Sequence, residues 1–127
     1  MSTFAVFGMT RAYALAEARK RTPTHRFEKD KDGNRRRVEM IGDEWEAAVQ
    51  ARADSIMGGA RVAQLCQPFD APQFAREFIR LMREQQECRD LRIRAKAIKK
   101  DGSGRPLTHK KTGAPMMGWQ DWEEGDT

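Results

Sequence analysis

The chain has few of the residues that mark secreted or metal-binding proteins. Only two of its 127 residues are cysteines, Cys66 and Cys88, and no CxxC spacing relates them. A disulfide framework or a zinc site needs more thiols at closer spacing. We therefore expect two reduced cysteines in the core, no metal and no other cofactor.

Long apolar runs are also missing. The N-terminal segment lacks a run long enough for a signal peptide, and no stretch approaches the roughly 20 apolar residues of a membrane span. These absences predict a protein that stays in the cytoplasm where it is made, without a membrane partner.

Recognisable catalytic patterns are absent as well. A nucleophile needs a base within hydrogen-bonding reach, and neither His25 nor His109 belongs to a local pattern that would supply one. The pair Gly58-Gly59 has neither of the glycine spacings that are typical of phosphate-binding loops. We therefore predict that the protein is not an enzyme and acts by binding.

What the sequence does have is charge. Charged residues make up 34% of the chain, and Lys and Arg outnumber Asp and Glu by 24 to 19, for a formal net charge of +5. This balance favours association with polyanions or with an acidic protein surface. The alternative is that the extra Lys and Arg only keep the protein soluble.

Hydrophobic periodicity and turn signals divide the chain into seven elements. The predicted order is a strand over 3–9, a helix over 10–21, strands over 25–29 and 35–41, a helix over 43–57, a helix beginning at 70–72, and a strand over 91–97. Strict alternation of apolar and polar residues from Leu91 to Ala97 favours the last strand. The competing interpretation is one long helix from Ala71 to Lys100.

This order, β-α-β-β-α-α-β, matches the split βαβ arrangement of ferredoxin-like domains. We therefore predict an α+β fold with a single domain over residues 1–100 and an irregular basic arm over residues 101–127. The arm contains three apolar residues that are candidates for a partner anchor, namely Met116, Trp119 and Trp122. They either fold back on the core or become ordered only on a partner.

One face of a ferredoxin-like sheet is covered by helices and the other is open. Alternation predicts a covered face with Leu91, Ile93, Ala95 and Ala97, joined by Val38 and Met40, and an open face with Arg92, Arg94 and Lys96, joined by Arg35, Arg37 and Glu39. Cations in a row, with Phe7 or Phe27 beside them, suit nucleic acid because guanidinium groups neutralise phosphates and aromatic rings stack on bases. The alternative is that these charges form a solvated sheet face or blunt an edge strand against aggregation.

Two further basic groups are candidates for contact with a polyanion. A hairpin turn at 32–34 is flanked by cations, and its candidate binding residues are Arg35, Arg36 and Arg37. A protruding hairpin of this kind could straddle a phosphate backbone or be an ordinary charged hairpin. The third group resembles a flexible basic arm and consists of Lys99, Lys100, Arg105, Lys110 and Lys111.

Three stretches carry a resemblance to a known class: Ser2 to Thr10 (STFAVFGMT), Asp43 to Val49 (DEWEAAV) and Asp70 to Leu81 (DAPQFAREFIRL). They resemble small uncharacterised accessory proteins of tailed bacteriophages and prophages. The resemblance implies a compact protein that binds host machinery in the host cytoplasm, in a class that includes anti-CRISPR and other host-takeover inhibitors. It assigns no role to any residue.

We therefore expect a non-enzymatic binding protein of phage type that acts on nucleic acid or on a host nucleoprotein complex, such as a counter-defence inhibitor. The alternative is a structural or assembly protein of a phage particle that docks through its C-terminal arm. A homo-oligomer is a further partner that the sequence leaves open.

Overall fold

The computed structural model describes residues 3–122, which form two compact units. The first unit consists of the described residues up to Met9 together with those from Val62 onward, and the second is Thr10–Arg61. The chain therefore leaves the first unit after a single strand and returns to it later. The described residues contain both helices and antiparallel strand pairs, so the protein is of the α+β class.

Every predicted strand and helix is present, and two short strands are additional. The elements are β1 (Phe4–Thr10), α1 (Arg11–Arg21), β2 (His25–Lys29), β3 (Arg35–Glu39), α2 (Gly42–Gly58), β4 (Ala63–Gln64), α3 (Pro72–Gln85), β5 (Cys88–Ile98) and β6 (Met117–Asp121). The long helix from Ala71 to Lys100 is wrong, because α3 ends at Gln85 and β5 begins three residues later.

The first unit is a four-stranded sheet, in the order β4-β1-β5-β6, with α3 packed against it. Its core is formed by four buried residues, Phe4, Val6, Ala75 and Ile93, with Leu91, Ala95, Phe78, Ile79 and Trp122 packed around them. Leu91, Ile93 and Ala95 therefore face the helix, as the alternation in β5 predicts. The opposite face of β5 carries its cations.

Strand β1 has a neighbour on each side and is buried along nearly its whole length. Six of its seven residues are buried, and Phe7 is half-buried. A strand buried on both faces requires a nearly continuous apolar run rather than an alternating one. This requirement explains the sequence FAVFGMT.

Close approach of β1 and β5 depends on Gly8. Its φ of 155° lies in a region that favours glycine, and a Cβ atom there would lie 3.0 Å from the carbonyl oxygens of Arg89 and Asp90 and 2.7 Å from Leu91 Cδ2. Asp90 has a positive φ of 55° at the same point. The two strands therefore meet at a position where a side chain has no space.

The second unit packs α1 against α2. The residues buried in this unit's helices are Ala14, Ala18, Val49, Ala53 and Met57. Small side chains at four-residue spacing let two helices approach closely. Near the start of α1, Arg11 donates hydrogen bonds to Asp54 at 2.5 Å and to Gln50 at 2.6 Å. Near its end, Arg19 donates to Glu46, earlier in α2, at 2.7 Å. The two helices are therefore antiparallel.

Local capping agrees with the sequence at one helix and differs at two. Thr10 caps α1, and its Oγ1 accepts a hydrogen bond from the backbone N–H of Tyr13 at 3.2 Å. The acids Asp43 and Asp70 near the other two helix starts are not their caps, because α2 follows Ile41 and α3 follows Ala71, and neither residue offers a side-chain hydrogen bond. Acids near a helix start are also favoured by the dipole alone, so their presence does not fix the cap.

The hairpin of β2 and β3 forms a two-stranded sheet of its own. Its turn is the predicted one: Asp30 Oδ1 accepts hydrogen bonds from the backbone N–H groups of Asp32 and Asn34, both at 2.9 Å, and Gly33 has a φ of 81°. Glycine tolerates that conformation without a steric penalty, which explains its place in the turn.

The ferredoxin-like split βαβ arrangement is not confirmed. In that arrangement the hairpin strands would share a sheet with β1 and β5, whereas β1 lies between β4 and β5, and β5 pairs on its other side with β6. The order of elements does not fix strand pairing, since any extended segment can satisfy the N–H and C=O groups at a strand's edge. Strand β6 lies within the stretch 101–127 that was predicted as an arm, and it is part of the four-stranded sheet.

Candidate functional site

A row of three cations lies on the face of β5 opposite the buried Ile93, as predicted. The side chain of Arg92 is 65% exposed, whereas that of Arg94 is 30% exposed. Lys96 is exposed and donates its backbone N–H to the carbonyl oxygen of Thr3 at 2.9 Å. The row therefore belongs to a regular strand, in which alternate side chains point to the same face.

Two aromatic rings hold this row in place. The Cζ atom of Arg94 lies 4.6 Å from the ring centroid of Phe7, and Nζ of Lys96 lies 5.6 Å from that of Trp119. The two rings contact each other edge to face, with their centroids 5.4 Å apart. Contacts between a cation and a ring stabilise exposed sites by about 0.5–1 kcal/mol each. The prediction that Phe7 lies beside these cations is confirmed.

Asp121 is the acid that contacts the row. Its Oδ1 accepts a hydrogen bond from Arg94 Nε at 3.1 Å, and its Oδ2 lies 3.5 Å from Arg92 Nη1. No other carboxylate among residues 3–122 forms an ion pair with Arg92, Arg94 or Lys96. One carboxylate against three cations leaves this face positive.

The segment between β5 and β6 is folded back on itself and differs from the flexible tail that its composition suggests. Three backbone hydrogen bonds join its parts: Lys99 N–H to Met116 O, Leu107 N–H to Lys99 O, and Met116 N–H to Leu107 O, at 2.7–2.8 Å. The five basic residues of this segment are all exposed, and none forms an ion pair with an acid in the described part of the chain: Lys99, Lys100, Arg105, Lys110 and Lys111.

Asp101 is the single acid in the sequence between Arg92 and Gln120. Its Oδ1 accepts hydrogen bonds from Ser103 Oγ at 2.7 Å, Ser103 N at 2.9 Å and Arg105 N at 3.0 Å. These bonds, led by that of the Ser103 side chain, lower the pKa of Asp101 below its ordinary value. The carboxylate is thus occupied in holding a turn.

We call the lysines and arginines from Arg92 to Lys111 the basic strip. It consists of Arg92, Arg94, Lys96, Lys99, Lys100, Arg105, Lys110 and Lys111. All eight residues belong to the first unit. Eight cations against the single acid Asp101 in this stretch make it the most one-sided run of charge in the chain.

The three consecutive arginines of the hairpin are separated by the alternation of β3. Arg35 lies over the ring of Phe27, with Cζ 4.6 Å from the centroid, and Arg37 Nε donates to Glu39 at 3.1 Å. Arg36 points to the other face, where Glu28 lies 3.6 Å away. The triplet is therefore divided between the two faces of the hairpin.

The predicted open face that combined both basic groups is wrong. Arg92, Arg94 and Lys96 lie in the four-stranded sheet of the first unit, whereas Arg35, Arg37 and Glu39 lie in the two-stranded sheet of the second. For the same reason, Val38 and Met40 do not join Leu91 to Ala97 on one covered face. The error follows from assigning the hairpin to the main sheet.

The apolar residues near the C-terminus fold back on the first unit. The backbone N–H of Trp122 donates to Ile93 O at 2.9 Å, and its ring lies edge-on to Phe4 with centroids 5.5 Å apart. Trp119 contacts Phe7 in β1. Met116 is half-buried, and its backbone accepts a hydrogen bond from Lys99 N–H and donates one to Leu107 O. Folding back on the core is therefore confirmed for Trp122, while Trp119 packs on Phe7 outside the core cluster.

Sequence reasoning missed β6 and the role of Asp121. The segment Met117–Asp121 carries little apolar alternation, and the available signal is the pair of tryptophans in an otherwise polar stretch. Large aromatic side chains dominate core energetics, so Trp119 in this segment and Trp122 directly after it favour packing over a free tail.

Both cysteines are half-buried thiols. Burial raises the pKa of Cys66, whose Sγ accepts a hydrogen bond from the backbone N–H of Val6 at 3.4 Å, and burial likewise raises the pKa of Cys88. Both thiols are therefore protonated at neutral pH, and the thiolate is the reactive form. Across residues 3–122 no three His, Cys, Asp or Glu side chains converge as metal ligands.

No helix in the described range is both long and apolar enough to cross a membrane. No family model matches the chain, and comparison with curated proteins and with solved structures gave no match. The functional argument therefore rests on the surface chemistry of each unit.

Proposed function

We propose that the protein is a non-enzymatic nucleic-acid-binding protein of phage type, and that the basic strip is its principal contact. The observation that carries the proposal is an excess of positive charge: Asp121 pairs with Arg92 and Arg94, and no acid among the described residues pairs with the other six cations of the strip. Eight Lys and Arg residues face the single Asp101 between Arg92 and Gln120, and that carboxylate is engaged by Ser103 and Arg105. A polyanion supplies the missing negative charge.

The strip has the chemistry that a phosphate backbone requires. Arg92 has an open guanidinium that can donate two parallel hydrogen bonds to one phosphate, and Lys110 and Lys111 are exposed point charges. Each phosphate that such a residue neutralises releases counterions, so binding weakens steeply as salt rises. Contact of this kind positions the protein on nucleic acid without reading base sequence.

The proposal extends to the setting that the resemblance implies. A compact basic accessory protein in the host cytoplasm would bind nucleic acid alone or within a host nucleoprotein complex, and inhibition of a host defence complex, as by anti-CRISPR proteins, is one such role. The alternative of particle assembly through a C-terminal anchor has less support, because Trp119 and Trp122 pack within their own unit.

Charge-neutral variants of the strip test the proposal. Arg92, Lys110 and Lys111 are replaced by Gln in one protein, and binding of labelled duplex and single-stranded DNA and RNA is measured over a range of salt concentrations. We expect the triple variant to bind at least about tenfold more weakly at low salt and to lose about two to three units of the slope of log K against log salt.

Arg80 in α3 supplies the matched control. Its guanidinium is exposed to a similar degree but lies between Glu77 and Glu84, at 2.9 Å from the latter, so its charge is already balanced. Arg80→Gln should leave both affinity and salt slope unchanged. Equal affinities for the wild-type protein and the triple variant, or no binding of any nucleic acid by the wild type, would overturn the proposal.

A further inference from the structure

Phe27 is an aromatic side chain on an exposed strand with half of its surface open. It is 52% exposed in β2, and its ring is contacted by Arg35 Cζ at 4.6 Å and, edge-on, by His25 with centroids 5.4 Å apart. Exposure of so much apolar surface is unfavourable in water. Single exposed apolar residues are common, so the surroundings of Phe27 decide whether this one has a role.

The surroundings of Phe27 are mainly cationic, and Glu39 is the acid on this face of the hairpin. Phe27 lies opposite Arg37, and Lys29 lies opposite Arg35 in the register of the hairpin, so all four side chains share one face. Like charges directly opposite each other destabilise a strand pair. In the described part of the chain neither Lys29 nor Arg35 forms an ion pair with a carboxylate, and Arg37 alone has Glu39.

The other face of the same hairpin is balanced. Arg26 pairs with both Glu28 and Glu44, and Arg36 lies 3.6 Å from Glu28. These ion pairs lower the pKa of Glu28, chiefly through its hydrogen bond with Arg26. The hairpin thus pairs its cations with acids on one face, whereas on the other face Lys29 and Arg35 lie beside an open ring without an ion pair in the described part of the chain. Hairpin stability does not explain this asymmetry.

We infer that the Phe27 face of the hairpin binds an unpaired nucleotide of single-stranded nucleic acid. The base stacks on Phe27, and the adjoining phosphates contact Lys29 and Arg35. The inference rests on the proposed nucleic-acid binding but adds a second site, in the second unit, and names the class of ligand.

A single strand fits this face better than a duplex. Both faces of a base in a duplex are covered by its neighbours, whereas an unpaired base can stack on a protein ring. Stacking of one base on an aromatic side chain contributes about 1–3 kcal/mol and tolerates any base, because every base has a π face. Single strands of DNA and of RNA share this chemistry, so both are used as probes in the binding test.

Replacement of Phe27 tests the site. Binding of labelled oligo-dT, oligo-U and a DNA duplex of equal length is compared for the wild-type protein, Phe27→Ala and Phe27→Trp, with circular dichroism to verify folding. We expect Phe27→Ala to weaken binding of both single strands about tenfold and to change duplex binding less than about twofold. Phe27→Trp should retain single-strand affinity because it preserves the stacking surface.

Phe74 is the matched control, since it is 54% exposed but lies on α3 in the first unit. Phe74→Ala should bind single strands like the wild type. Lys29→Gln with Arg35→Gln should reduce the salt slope for single strands.

The outcomes separate this inference from the proposed function. If Phe27→Ala binds single strands as the wild type does while the triple variant of the strip loses affinity, the inference is overturned and the proposed function stands. If the wild type binds no nucleic acid, both fail. A copurifying protein whose capture depends on Phe27, with no single-strand binding, assigns the face to a protein partner and also overturns the inference.

Discussion

Asp121 joins Arg94 and Arg92 across the pairing of β6 with β5. Its Oδ1 accepts a hydrogen bond from Arg94 at 3.1 Å, and Arg92 lies 3.5 Å from Oδ2. The strand that completes the sheet thereby places a carboxylate next to the cations proposed to bind nucleic acid. This acid orients Arg94 and at the same time reduces the positive charge of the face.

Asp121→Asn should strengthen nucleic-acid binding. Removal of one negative charge beside two guanidiniums raises the local positive potential, and we expect affinity to increase about two- to fivefold at low salt. Stability should change by less than about 1 kcal/mol, since exposed ion pairs contribute little. Fluorescence anisotropy with labelled DNA measures the effect. Glu84→Gln, which removes a carboxylate from α3, is the control; weaker binding by Asp121→Asn would show that orientation of Arg94 outweighs charge.

Gly8→Ala should destabilise the first unit. A Cβ atom would lie 3.0 Å from two backbone oxygens of β5 at a φ of 155°, so steric contact and backbone strain both oppose it. We expect a loss of about 2–4 kcal/mol in the free energy of unfolding, measured by urea denaturation. Gly58→Ala, at the end of α2 where a Cβ atom meets nothing within 4 Å, should be neutral or slightly stabilising. Equal stability of both variants would contradict the close approach.

Trp122→Ala should destabilise the protein more than Trp119→Ala. Trp122 packs on the buried Phe4 within the core cluster, whereas Trp119 lies on the outer face with Phe7 and Lys96. We expect losses of about 3 kcal/mol and about 1 kcal/mol, from thermal or urea unfolding. A Trp122→Ala protein as stable as the wild type would show that the end of β6 does not complete the core.

The turn at Asp101 should depend on pH in the acid range. Hydrogen bonds from Ser103 and Arg105 favour the ionised carboxyl group and hold its pKa below the ordinary value of 3.8. The stabilisation is therefore present above that value and is lost as the pH falls through the lowered pKa of the folded state. NMR titration should show the Ser103 and Arg105 amide signals moving together, with a midpoint below 3.8. In Asp101→Asn this transition should disappear, and a midpoint above 3.8 in the wild type would contradict the turn.

Local signals in the sequence identify most elements of this fold. The alternation from Leu91 to Ala97 predicts β5, Thr10 predicts the start of α1, and Gly33 predicts the hairpin turn. Each of these signals depends only on residues that are adjacent in the sequence. The side of β5 that faces α3 is equally predictable, since alternation assigns it before any partner is known.

Pairing between distant strands is not specified by such local signals. The hairpin strands have the composition of sheet strands, yet β5 takes β1 and β6 as neighbours. This choice depends on how Trp122 and Phe4 fill the core together, which no periodicity encodes. The candidate site was affected in the same way: the cations of each strand were found, but Asp121 and the separation of Arg36 from Arg35 follow from pairing and register.

The interrupted path of the first unit has a consequence for how the protein folds during synthesis. Strand β1 is made first, but its neighbours β4 and β5 appear only after the whole of Thr10–Arg61 has been added. The α1 and α2 pair closes a short loop and can form while the ribosome is still adding the later strands. The apolar segment FAVFGM must therefore remain without its neighbours until the later strands have been synthesised, and an unpaired apolar strand is exposed to aggregation during that interval.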